Sequence, residues 1–166
     1  MMIFARKVAS EADDGFLFQV YASTREQEIA EWGWTKQQQE EFLQIQYTCQ
    51  KRSYESNYPH MEWYVIVHQQ EPIGRLLINK QHDYWTLADM TILPVYQGRG
   101  YGSQLLQELL ESANQAGANI GLHVATTNQR ARYLYKKHGF QEIDHSGIYV
   151  QMEWKTSQKS SIQEKS

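Results

Sequence analysis

Ile92-Leu93-Pro94-Val95-Tyr96-Gln97-Gly98-Arg99-Gly100-Tyr101-Gly102-Ser103 is the stretch on which the reading of this chain turns. A strand-like run, Tyr84 to Leu93, enters it and stops at Pro94, and an amphipathic helix leaves it. Glycines let a backbone approach a ligand closely, and a helix start offers unpaired N–H groups at a positive dipole end. Strand, glycine turn and helix together make a cradle for a diphosphate. A Walker loop needs Gly-Lys-Ser/Thr, which is absent. A dinucleotide fingerprint wants a third glycine where Ser103 stands, and an acid after the next strand, where Ala125-Thr126 follow. A glycine-rich turn with no ligand is the remaining alternative.

Downstream, Leu105, Leu106, Leu109, Leu110, Ala113 and Ala116 form one helical stripe, and Gly117 stands where a C′ residue belongs. Ile120, Leu122 and Val124 alternate as a strand. Asn128 opens a helix that ends at His138-Gly139, with Lys136, Lys137 and His138 in its last turn. Residues 140–143 and 148–154 read as closing strands, and 155–166 as a disordered tail.

Upstream, Glu62–His68 and Ile73–Asn79 read as an antiparallel pair of strands around a turn. Thr35 with Gln38 is a capping box for a helix to about Tyr54, in which Phe42, Ile45 and Cys49 share an apolar register. Residues 26–34 fit a short helix or a loop. Ser10 is the expected N-cap of a helix reaching about Ala22, and residues 3–8 are a short strand. No repeat or linker interrupts the pattern, so residues 1–154 are expected to form one mixed α/β domain.

With 166 residues, 41% hydrophobic and 21% charged, the chain is neither disordered nor a membrane span. Its mean hydropathy is −0.67. One cysteine allows no internal disulfide and no thiolate metal site. The start, MMIFARKV, lacks the long apolar stretch of a leader. Both features fit the cytoplasm. A net charge of −3 and a pI near 6.1 argue against a nucleic-acid footprint. Residues 10–41 hold eight acids and two bases, whereas residues 95–137 hold five bases and two acids. Two ends of one cleft so charged would suit a cationic group and a phosphate; two solvated helix faces would look the same.

Gln97-x-x-Gly100-x-Gly102 after a strand, then Asn128, Ala131, Leu134-Tyr135 and Gly139-Phe140 in that order, resemble the GNAT superfamily of acetyl-CoA-dependent N-acetyltransferases. The similarity is strong over residues 85–140 and weak before residue 60. It implies an α/β fold with a mixed, mostly antiparallel sheet of about seven strands, helices on both faces, and a central parallel pair that splays apart. Acetyl-CoA is the implied co-substrate. Thr91, Ile92, Gln97, Gly98, Arg99, Gly100, Tyr101, Gly102, Ser103 and Asn128 are the implied cofactor-binding residues. The pantetheine arm would fill the gap between the strand at 84–93 and that at 120–124.

Implied too is direct transfer. A neutral amine attacks the thioester, a backbone N–H near Ile92 receives the oxyanion, and the Tyr135 hydroxyl protonates the leaving thiolate. At about 100° per residue, Tyr135 and Leu134 share the apolar face with Ala131, while Tyr133 points outward. Asn128 lies on Tyr135's side, either as a cap alone or along a ligand's path. Asp89, the only acid on the strand leading to the loop, is the first choice of general base; a solvent-facing strand acid is its alternative. Glu28 and Glu31, with Trp32 and Trp34 near them, fall in the segment that lines the acceptor site in this family, and acids beside aromatics suit a cationic amine. His68, His82 and His123 show no metal-ligand spacing, so no metal is expected. Cys49 reads as a small core residue. Polyamine, amino acid, peptide N-terminus, protein lysine and aminoglycoside all remain open as acceptors, and a homodimer is compatible with the sequence. A non-catalytic acyl-CoA-binding or regulatory module on the same fold is the alternative function.

Overall fold

The computed structural model describes residues 3–8 and 11–158. Seven strands form one sheet: β1 (Ile3–Lys7), β2 (Met61–His68), β3 (Glu71–Gln81), β4 (Tyr84–Ile92), β5 (Asn119–Ala125), β6 (Gln141–Ser146) and β7 (Tyr149–Trp154). Their order is β1-β2-β3-β4-β5-β7-β6, and among the described residues only β4 and β5 run parallel. The β2–β3 link is a two-residue turn in which Gln69 and Gln70 both have positive φ, the geometry that matches a hairpin's twist. The β4–β5 link must cross the sheet and does so through helix α4 (Tyr101–Ala116).

Helices α1 (Glu11–Ser23), α2 (Glu26–Ala30) and α3 (Lys36–Asn57) cover one face of β2 and β3, burying Leu17, Tyr21, Ile29, Leu43 and Tyr47 against Val65 and Val67. Helices α4 and α5 (Gln129–Lys137) cover the other face. There Leu105, Leu106, Leu109 and Ala113 meet Ile66, Leu76, Ile78, Leu87, Ile120 and Leu122. Successive strand residues point to opposite faces, which is why Ile66 joins one cluster and its neighbours Val65 and Val67 the other.

The Thr35–Gln38 capping box forms in both directions, at 3.2 and 3.0 Å. The helix it opens runs three residues past the expected end. Its buried face is also not the expected one: Leu43 and Tyr47 are inside, whereas Ile45 and Cys49 are exposed. Cys49 is therefore not a core residue. The helix turns its aromatic Tyr47, which meets Phe18 and Tyr21, inward in preference to the smaller thiol. Ser10 lies outside the described residues, as do residues 159–166 of the expected tail. Where the tail was expected to begin, Thr156 is instead buried. Its N–H binds Asn119 Oδ1 at 3.0 Å and its hydroxyl binds Asn114 Oδ1 at 2.6 Å.

The parallel pair decides where a site can form. Only Tyr84, Trp85 and Thr86 pair with Asn119, Ile120 and Gly121. Beyond them β4 continues to Ile92 and β5 to Ala125 with no ladder between them. The β3–β4 register slips where Ala88 is inserted opposite Leu77 and Ile78, a bulge that bends β4 as the gap opens.

Candidate functional site

A cleft of about 480 Å³ occupies the end of the gap, between β4, the glycine turn and α5. Thr91, Ile92, Gln97, Gly98, Gly100, Tyr101, Gly102, Ser103, Asn128 and Tyr135 line it, nearly all of the residues implied for cofactor and catalysis. Arg99 does not line it; its guanidinium lies over the Tyr96 ring, 5.8 Å from the centroid. Thr24, at the α1–α2 turn, also reaches the cleft, and no local sequence signal points to it.

Pro94–Tyr96 make one 3-10 turn, after which Gly98 and Gly100 adopt φ of +78° and +84°. Those left-handed conformations disfavour any side chain, and a Cβ at either position would meet no protein atom within 4 Å. The loop is bent by its own backbone, and both glycines line the cleft. Gly100 is the N-cap of α4, so the first N–H groups of that helix, on residues that line the cleft, have no partner among the described residues.

The edge of β4 supplies further donors. Leu93 gives its N–H to Ile73 O at 2.8 Å, toward β3. By the alternation of an antiparallel ladder, Ile92 turns its own N–H and carbonyl the other way, into the gap. Gln97 Nε2 donates to that carbonyl at 2.8 Å, and Arg130 donates to Gln97 Oε1 at 3.2 Å. The Ile92 N–H is left facing the cleft.

Tyr135 is buried on α5 against Phe140, with ring centroids 5.4 Å apart, while Tyr133 is exposed. Among the described residues the Tyr135 hydroxyl has no hydrogen-bond partner, and its side chain lines the cleft. Burial, and then the charge of Asp89, push its phenol well above the usual range, so it stays a proton donor. Asn128 does both things open to it. Its Oδ1 accepts the Ala131 N–H at 3.2 Å as a cap, and it lines the cleft.

Asp89 faces the opposite side of the sheet and is not solvent-facing. One of its oxygens accepts from Nε of Arg75, a residue 2% exposed, and the other accepts the Thr91 hydroxyl at 2.9 Å. Arg75 also donates to Gln50 Oε1 at 3.1 Å and lies over the Tyr21 ring. Nearby on α3, burial and then the Asp89 charge push the Tyr54 phenol up to about 12. Asp89 is thus ion-paired with Arg75 on one oxygen and hydrogen-bonded to Thr91 on the other. Sequence reasoning weighed His123 only as a metal ligand. It alternates with Leu122 and Val124, whose side chains enter the α4 core, so its own side chain faces the Asp89 side, and it is exposed. That alternation was its only sequence signal.

Glu28 is held by Arg25 at 2.9 Å, while Trp32 and Trp34 are each 39% exposed and stack edge-on with each other and with Phe42. Glu31 caps α2, its backbone N–H bonding to Ile29 O. None of Glu28, Glu31 or Trp32 lines the cleft, whose contact with this segment is Thr24. Among the described residues no helix is long and apolar enough to cross a membrane.

Residues 20–140 match the model of the acetyltransferase (GNAT) family. A ribosomal protein bS18-alanine N-acetyltransferase of Haemophilus influenzae is 36% identical over 80 residues, which are 48% of this chain and 54% of that protein. An N-alpha-acetyltransferase RimI of Mycobacterium tuberculosis is 48% identical over 50 residues, 30% of each chain. The chain thus spans about half the length, or less, of these relatives. Among solved structures, the PaiA N-acetyltransferase of Thermoplasma acidophilum in complex with coenzyme A superposes with a TM-score of 0.70 over 93% of this chain and 99% of that one. At 22% identity, that likeness establishes the shared fold.

Proposed function

The chain belongs to the acetyltransferase (GNAT) family, and from that premise we propose that it transfers an acetyl group from acetyl-CoA to a primary amine by direct attack. The carrying observation is the gap between β4 and β5, which ends at a glycine-bent helix start on one side and at an unpartnered phenol on the other. The coenzyme supplies the activated thioester. The protein's residues hold and orient it.

N–H groups of Tyr101, Gly102 and Ser103 at the start of α4 receive the diphosphate. The free edge of β4 runs beside the pantetheine arm as a neighbouring strand would. The Ile92 N–H stands where a developing oxyanion needs a donor, an interaction worth about 3 kcal/mol in comparable sites. Tyr135 gives its proton to the departing thiolate from the α5 side. The amine arrives from the opposite face of the sheet, where it must lose a proton. We assign that proton to His123 rather than Asp89, since the exposed imidazole offers an acceptor nitrogen on that face, whereas the Asp89 carboxylate is held in an ion pair with the buried Arg75.

For the acceptor we propose the α-amino group of a peptide. The activities for which the two relatives above are named support this, since one is an alanine and the other an N-alpha acetyltransferase. Glu31 and the exposed Trp32 would flank such a chain at the α2–α3 turn. Calorimetry with acetyl-CoA, followed by thiol release with a peptide bearing a free N-terminal alanine, tests the reading. Thiol release should need the free amine and fail with the N-acetylated peptide. Binding of acetyl-CoA with no thiol released by that peptide, by an N-blocked lysine peptide or by spermidine would leave only a coenzyme-binding module.

A further inference from the structure

Besides the bond of Arg130 to Gln97, a second hydrogen bond joins the two sides of the cleft. Ser103 Oγ, on the first turn of α4, lies 2.7 Å from Nε2 of His138, the C-cap of α5. Ser103 lines the cleft at the helix start, and His138 is three residues beyond Tyr135 on the same helix end. The backbone fixes where His138 sits. Its N–H bonds to the Leu134 and Tyr135 carbonyls, and Gly139, at φ +98°, turns the chain so that Phe140 N–H also reaches Tyr135 O at 3.0 Å.

A serine hydroxyl has one proton. If Ser103 donates it to His138, only oxygen lone pairs remain for the cleft, and those repel a phosphate. If His138 donates from Nε2 instead, Ser103 accepts and its proton is free for an anion. We infer that His138 is a positioning residue for the co-substrate: donating from Nε2 to Ser103 Oγ, it turns the Ser103 hydroxyl toward the diphosphate. The inference rests on the reading of the cleft as a coenzyme A site.

The inferred exchange takes up no net proton: one leaves Nδ1 and one reaches Nε2 through solvent, so the neutral ring changes tautomer. Burial and the neighbouring Lys137 lower the imidazole's affinity for a second proton, which favours this exchange over simple protonation. The outcome is a binding site whose donor count depends on a residue that never touches the ligand.

Calorimetry with acetyl-CoA on the full chain, together with the imidazole ¹⁵N spectrum, tests this. Ser103→Ala should weaken binding about tenfold, as loss of a hydrogen bond to a charged group does. His138→Phe should weaken it by a similar factor, and the double variant no further than either single one. His138→Gln keeps an amide donor at the Nε2 position and should stay within about twofold of wild type. On adding acetyl-CoA, the His138 nitrogen resonances, identified by their loss in His138→Gln, should exchange acceptor and donor character. Additive losses, a glutamine variant as weak as phenylalanine, or an unchanged nitrogen spectrum would overturn the inference. Wild-type protein that fails to bind acetyl-CoA would overturn the parent reading. Wild-type protein that binds while every variant matches it would overturn this one alone.

Discussion

Replacing Tyr135 with Phe removes one oxygen and little else. The ring keeps its buried contacts, including Phe140 at 5.4 Å, and the hydroxyl it loses has no hydrogen-bond partner among the described residues. The fold should therefore change in stability by less than about 1 kcal/mol. Acetyl-CoA affinity should also hold, because diphosphate and pantetheine are gripped by α4 and β4. What disappears is the proton for the leaving thiolate. General acids contribute about 10²- to 10⁴-fold, which corresponds to about 3–5 kcal/mol of barrier. Turnover should fall by that factor at neutral pH, read as thiol release with a free N-terminal alanine peptide at saturating acetyl-CoA. The deficit should also depend on pH. A thiol titrating near 8.5 leaves unaided as thiolate in alkaline solution, so the gap between wild type and variant should narrow above that point. Burial and Asp89 keep the wild-type phenol protonated across that range, so wild type should show no matching loss. Turnover within twofold of wild type at pH 7, in a variant that still binds acetyl-CoA, would refute the role of Tyr135.

Gly100→Val should abolish measurable acetyl-CoA binding in calorimetry, because its Cβ and methyls would project into the cleft from a residue at φ +84°, with a stability loss of about 1–3 kcal/mol visible in the melt. Gly121→Ala should destabilise by about 1–3 kcal/mol, since its Cβ would lie 1.9 Å from the Tyr84 hydroxyl; Tyr84→Ala combined with Gly121→Ala should cost less than the sum, and additive losses would show that the two do not collide. His123→Ala should lower turnover and leave acetyl-CoA binding intact, whereas Asp89→Asn should affect both stability and turnover through Arg75; the reverse pattern would return the base to Asp89. Hydrogen bonds from Lys136 and Arg132 hold the Glu142 carboxyl below its usual range, so the tie between α5 and β6 should be fully present above about pH 5 and be lost as pH falls through the lowered value. The difference in melting temperature between wild type and Glu142→Gln should thus be present at pH 7 and vanish in strong acid.

Local signals announced most of the architecture. The Thr35–Gln38 box, the leucine stripe of α4 ending at Gly117, and the alternation through β5 each follow from contacts within a few residues. The glycine turn was legible for the same reason: Gly98 and Gly100 are needed by their own backbone. What stayed hidden depends on contacts far along the chain. Asp89 reads as a lone strand acid until β3 brings Arg75 beside it, from 14 residues away, and α3 brings Gln50 to Arg75. Cys49 fits an apolar register by spacing, but Tyr47 takes the inside by packing on α1. Thr24 enters the cleft only because α1 and α2 fold over the sheet.

Chemistry needs an acid and a base that do not neutralise each other, and the gap provides this. In an unbroken sheet, β4 and β5 would pair along their length and wall one face off from the other. Pairing stops at Thr86 and Gly121, and the Ala88 bulge bends β4 next to that point. In the proposed reaction a thioester lying in the opening would be reached from both faces. In that proposed reaction Tyr135 comes from the α5 side, where burial keeps its proton on, and the amine from the other side, which the exposed His123 faces. Asp89, on the His123 side, is ion-paired with Arg75, and its charge adds to burial in raising the Tyr135 phenol. On the proposed reading, this break in the ladder is what would let one bound group meet a donor and an acceptor of protons on opposite sides.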